Sequence, residues 1–179
     1  MTEFSKNDLL QSFKEIDDIL TLSLASITYF HRDKDSKMLS ETWMMHYGRV
    51  WNLKHLADSF QDEQTKIKTL DDFKWTITKF LIREPYVILE EYCRINSLSE
   101  QFESQEWYQI SRILRNFCTH NILDPTRYRN IQFPVRWENY EITSQEVDSG
   151  KVDFTKFDIH LPQKIFEQMQ IFAESLPEN

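Results

Sequence analysis

Residues 107 to 121 read WYQISRILRNFCTHN. Trp107, Ile110, Leu114 and Phe117 fall three, four and three residues apart, which at about 100° per residue makes one apolar stripe, with Ile113 and Cys118 on its shoulders. The spacing predicts an amphipathic helix that buries this stripe in a core. Arg112, Asn116 and Thr119 then fall on the opposite side, flanked by Arg115 and His120. A guanidinium, an amide and an imidazole are thereby displayed together. After Asn121, the run Ile122-Leu123-Asp124-Pro125 stops the helix.

Working outward toward the N-terminus, the sequence reads as further helices. Leu9, Phe13, Ile16, Leu20, Leu24 and Ile27 form a helical stripe over residues 6–29. Residues 31–37 are a charged connection. A second helix is expected over 40–60, with Trp43, Tyr47, Val50 and Trp51 on one face and Leu56 and Phe60 further on. Residues 61–69 read as a loop or frayed helix end, and Thr69 as the start of a third helix carrying Phe73, Ile77, Phe80 and Leu81. Pro85 predicts a break near Glu84 and a separate helical segment from Pro85 to Ile95. Glu90 and Glu91 are adjacent, so they point to different faces and are read as a solvated edge. Residues 97–104 form a polar connection in which Ser104 is positioned to cap the next helix.

Toward the C-terminus the period changes. Val135, Trp137, Tyr140 and Ile142, and after Asp148-Ser149-Gly150 also Val152, Phe154, Phe157, Ile159 and Leu161, resemble extended segments around a turn. Pro162 fits the first turn of a closing helix with Ile165, Phe166, Met169, Phe172 and Ala173 inward. The fold class is therefore mainly α: a bundle of four to five helices with a small β hairpin before the last helix. We read residues 1–179 as one domain, with a bundle over 1–121, a hairpin-like insertion over 131–161 and a closing helix over 162–176.

Composition excludes several function classes. The chain has 40% hydrophobic, 14% aromatic and 28% charged residues, the balance of a folded protein rather than a disordered one. Its only glycines are Gly48 and Gly150, so glycine-rich phosphate cradles and dinucleotide fingerprints are absent. Cys93 and Cys118 have no metal-ligand spacing, and His46 and His55 are nine residues apart, not on one helical face. No metal and no cofactor is expected. The charged N-terminus and the lack of an 18-residue apolar run lead us to expect a cytoplasmic protein without membrane contact. Net charge is −8, yet residues 112–136 hold five arginines (112, 115, 127, 129 and 136) against one acid, Asp124. That local balance of +4 leaves −12 elsewhere and concentrates positive charge around the helix of residues 107–121.

The run Arg115-Asn116, with four residues between Arg115 and His120 in the pattern R-N-x-x-x-H, resembles the signature of the HEPN superfamily. A bare Arg followed by a His at similar spacing is uninformative: Arg49 and His55 supply such a pair without the Asn. Requiring Asn directly after Arg and four intervening residues before the His lowers the chance expectation to roughly 1%. The resemblance implies a small helical bundle and, in many members, a metal-independent RNase whose site forms where two motif helices meet across a homodimer. It also implies action as a toxin or defence effector beside an antitoxin protein.

On that resemblance Arg115, His120 and Asn116 are the expected catalytic residues, and Arg112, Arg127, Arg129 and Arg136 the expected RNA-binding ones. The residue types suit the chemistry. An imidazole exchanges a proton near neutral pH, and a permanently charged guanidinium forks onto phosphate oxygens. Asn116 is expected to orient the imidazole. The expected activity is an endoribonuclease cleaving by 2′-hydroxyl attack. The alternative is a non-catalytic helical dimer of the same fold, an interaction module using the surface around Trp137, Tyr140 and Phe157.

Overall fold

In a computed structural model, residues 4–32, 43–46, 49–52, 54, 58, 60–120, 128, 131–149 and 160–178 are described. The chain forms two compact units, one of Met1–Asp18 with Thr78–Asn179 and one of Ile19–Ile77. The elements run α1 (Lys6–Arg32), β1 (Trp43–His46), β2 (Arg49–Asn52), α2 (Glu63–Ile95), α3 (Ser99–Glu103), α4 (Tyr108–His120), β3 (Val135–Trp137), β4 (Tyr140–Ile142), α5 (Ser144–Asp148) and α6 (Leu161–Ser175). The fold is mainly helical, with a two-stranded antiparallel hairpin before the last helix, as the sequence predicts. No helix among the described residues is long and apolar enough to cross a membrane.

The first unit is built around α4. Ile110, Ile113 and Leu114 are fully buried and Cys118 nearly so, so the amphipathic stripe is the inner face, with Ile113 inside it rather than on its shoulder. From α1 come Leu9, Phe13 and Ile16, from α2 Ile82, Tyr86, Leu89 and Cys93, and from α6 Ile165, Phe166 and Met169. Phe102 of α3 is the centre of an aromatic cluster with Tyr86, Trp107, Tyr108 and Phe172, at centroid separations of 5.0 to 6.0 Å. Edge-to-face and tilted pairs of this kind add to their area burial. Phe13 stacks on Phe166 at 5.7 Å, which joins α1 to α6.

Local signals set the helix ends. The Ser5 hydroxyl and backbone N–H donate to Asp8, and the Asp8 backbone N–H donates back to the Ser5 hydroxyl, a reciprocal cap that starts α1. Asp62 accepts from the backbone N–H of Thr65 at 2.8 Å, so α2 begins at Glu63, not at the expected Leu70. The same helix runs through Pro85 without ending. Proline costs a helix interior about 3 kcal/mol, and here burial of Leu81, Ile82, Tyr86 and Leu89 on both sides of it outweighs that cost. The break expected at Glu84 is therefore absent.

Two further connections differ from the sequence expectation. Residues 99–103 form the short helix α3, and the Ser104 hydroxyl donates to the carbonyl of Gln101 instead of capping α4. Downstream, the hairpin is tighter than predicted. Val135 pairs with Ile142 and Trp137 with Tyr140, so the turn is at Glu138-Asn139 and not at Asp148-Ser149-Gly150. The inward residues Val135, Trp137, Tyr140 and Ile142 alternate as expected, and β3 lies against α4. Trp137 and Tyr140 are buried, so they offer no surface to a partner. Residues 144–148 form α5 behind a Thr143–Glu146 capping box, and the strand expected over 152–159 lies outside the described residues.

The second unit contains the other departure. Residues 43–46 and 49–52, expected in a helix, form an antiparallel hairpin in which His46 pairs with Arg49. Aromatic and β-branched residues favour strands, and the two-residue Tyr47-Gly48 spacer has the length and glycine content of a hairpin connection. Along this part of α1, Ser23 and Ile27 are buried and Leu24 is exposed. The 4-3 spacing from Leu9 continues through Ser23, one position before the apolar Leu24.

Candidate functional site

Arg115 and Asn116 project from the last two turns of α4 toward α2. On α2, Tyr86 and Glu90 are four residues apart and share a helical side, as that spacing dictates. Together they grip Arg115. Its Nη2 donates to Glu90 Oε2 at 2.9 Å and Oε1 at 3.2 Å, its Nη1 donates to Asn116 Oδ1 at 2.8 Å, and its Cζ lies 4.7 Å from the Tyr86 ring centroid. An ion pair, a neutral hydrogen bond and a cation–π contact thus fix one guanidinium in plane and orientation. The Arg115 Nε atom is screened from solvent and has no hydrogen-bond partner among the described residues.

The exposure of these groups differs from the sequence expectation. Asn116 is 6% exposed and therefore buried under Arg115, not displayed beside it. Its side-chain oxygen is occupied by Arg115. Glu90, read as a solvated edge, is the counter-ion of the site, while Glu91 pairs with Arg94 on the exposed side of α2. Adjacent acids do point to different faces, and one of those faces turns out to meet α4.

Arg115 and Asn116 line an open depression of about 580 Å³ whose other walls are Glu90, Glu103, Tyr108 and Arg112. Arg112, one turn before Arg115, is half-buried and makes no hydrogen bond or ion pair with any described residue. Burial pushes the Tyr86 hydroxyl far above the ordinary phenol range, with Tyr108 and Glu90 adding to the rise. Burial also raises Tyr108, with Glu103 and Glu90 pushing the same way and Arg112 opposing them. Both phenols are neutral at physiological pH. The depression therefore holds two guanidinium groups, two carboxylates, the Asn116 amide and one neutral phenol, Tyr108, a set suited to a ligand with both anionic and hydrogen-bonding parts.

The remaining expected residues stand apart. His120 is the last residue of α4, and its side chain lies outside the described residues, as do Arg127 and Arg129. Arg136 is on β3, where it pairs across the hairpin with Glu141, and it is not part of the depression. Among the described residues no group of three or more His, Cys, Asp or Glu is arranged to hold a metal ion. Cys93 and Cys118 are free buried thiols. Sequence reasoning missed Glu90 and Tyr86 because a helix–helix contact has no local signature. The only available signal was their i, i+4 spacing on an otherwise apolar stretch. Comparison with protein-family models, curated proteins and solved structures returns no match for this chain.

Proposed function

We propose that the protein is a metal-independent endoribonuclease of the HEPN type, cutting RNA by attack of a ribose 2′-hydroxyl on the adjacent phosphate. The observation that supports it is the convergence of Arg112, Arg115 and Asn116 on one open depression, on the helix that ends in His120. In this reading the His120 imidazole takes the 2′-hydroxyl proton as the O2′–P bond forms. Arg115 stabilises the charge that grows on the non-bridging oxygens. The P–O5′ bond then breaks, and an acid protonates the leaving O5′. The products are a 2′,3′-cyclic phosphate and a 5′-hydroxyl.

One α4 supplies one imidazole, and the reaction needs a base and an acid. A homodimer that brings two copies of α4 together supplies both. The biological role that goes with this chemistry is a toxin or defence effector restrained by an antitoxin protein. The test is direct: purified protein incubated with RNA in EDTA yields cyclic-phosphate ends, and His120→Ala and Arg115→Ala each abolish cutting without loss of helical signal. Cleavage that survives in His120→Ala ends this reading.

One observation favours a second reading. Arg115 already has a carboxylate partner in Glu90, as a purely structural arginine would. If the protein is instead a non-catalytic interaction module, His120→Ala and Arg115→Ala leave every RNA assay unchanged, and the effect of Arg115→Ala is confined to stability.

A further inference from the structure

The two arginines of the depression are in opposite states. Arg115 is held on three sides by Glu90, Asn116 and Tyr86. Arg112, one turn earlier on the same helix, has no ion pair or hydrogen bond with any described residue. A guanidinium already fixed loses little entropy when charge develops beside it, whereas a free one gains a new charge-assisted hydrogen bond when an anion arrives. Those are different contributions to a reaction, one to the transition state and one to ground-state binding.

We propose that Arg112 captures a backbone phosphate of single-stranded RNA in the ground state, and that Glu90 is a positioning residue that aims Arg115 at the reacting phosphate. This inference rests on the ribonuclease reading and deepens it. Glu90 acts through Arg115. Its carboxylate meets Nη2 and leaves the second N–H of Nη1 to the substrate, while the Tyr86 ring under the guanidinium blocks rotation out of plane. Glu103, exposed at the rim and without a side-chain ion pair or hydrogen bond to any described residue, sets a limit on where the strand can run, because a phosphate is repelled from that wall.

The rival account of the same contact is that Glu90 competes with RNA for Arg115. The two differ in sign. Binding is measured with a 2′-O-methyl strand, which lacks the nucleophile and is not cut, and turnover with the corresponding RNA. We expect Arg112→Ala to weaken binding of the 2′-O-methyl strand about tenfold and to raise KM with kcat nearly unchanged. We expect Glu90→Ala to leave binding within about twofold and to lower kcat roughly 10- to 100-fold. Glu90→Gln, whose amide oxygen still accepts from Nη2, recovers most of that loss.

Tighter binding in Glu90→Ala overturns the proposal in favour of competition. Unchanged binding in Arg112→Ala overturns it while leaving a wild-type nuclease standing. Wild-type protein that binds the 2′-O-methyl strand yet cuts no RNA removes the nuclease reading itself, and this proposal with it.

Discussion

The Arg115 guanidinium and the Glu90 carboxylate meet across two helices at 2.9 Å, with the arginine side chain 21% exposed and the glutamate 44%. Water still reaches the glutamate, so the pair is worth less than its geometry suggests. A double-mutant cycle of Arg115→Ala and Glu90→Ala, read by urea denaturation, should give a coupling on the order of 1 kcal/mol. A coupling near zero would show that the contact orients Arg115 without stabilising the fold.

Ser97 has φ 59°, in the left-handed region that favours glycine, and Leu98 N–H donates to the Cys93 carbonyl at 2.7 Å. That is the closing geometry of a helix whose C′ position is normally glycine. Ser97→Gly should therefore stabilise the protein by about 0.5–1 kcal/mol, seen as a rise in the urea midpoint at constant slope. The opposite shift would mean that Ser97 does not close α2 in this way.

Burial pushes the thiols of Cys93 and Cys118 up to about 12. Only the thiolate reacts, so at pH 8 the folded protein should resist alkylation and both thiols should label once denaturant is added. A thiol that labels at the rate of free cysteine in native buffer would place that residue at the surface.

Asp8 is held below the usual carboxylate range by hydrogen bonds from the Ser5 side chain and backbone, and Asp62 by those from Thr65. A carboxyl with a depressed folded-state pKa adds stability above its unfolded value, here near 3.8, and that contribution is lost as pH falls through the folded value. Helical signal followed against urea at a series of pH values should show the loss beginning below about pH 4. Asp62→Asn should flatten the curve there, because the amide still accepts but no longer titrates.

Much of this molecule is legible in the sequence wherever a signal is local. The stripe of α4, the Pro162 start of α6 and the alternation of Val135, Trp137, Tyr140 and Ile142 all follow from residue spacing, and each appears as an element. The misses are contests that local signals cannot settle. Trp43 to Asn52 has a spacing compatible with either period, and strand pairing won. Pro85 is a sound breaker signal overridden by packing on both sides of it. Asp62 was a better cap than Thr69, but telling the two apart requires knowing that the polar stretch between them is helical. At the site, Arg115 and Asn116 were legible as a motif. Their burial and their partner Glu90 were not, because 25 residues of sequence separate Glu90 from Arg115 and only the fold closes that gap.

The contacts between α1 and α6 have a consequence for synthesis. Lys6 Nζ donates to the Glu174 carbonyl, 168 positions later, and Phe13 waits for Phe166. At ribosomal rates of about 5–20 residues per second, α1 stays in the nascent chain for roughly 8 to 30 seconds before its apolar side finds that cover. Over that interval Leu9, Phe13 and Ile16 are available to chaperones, so α1 is the element of this unit that waits longest for its cover during synthesis.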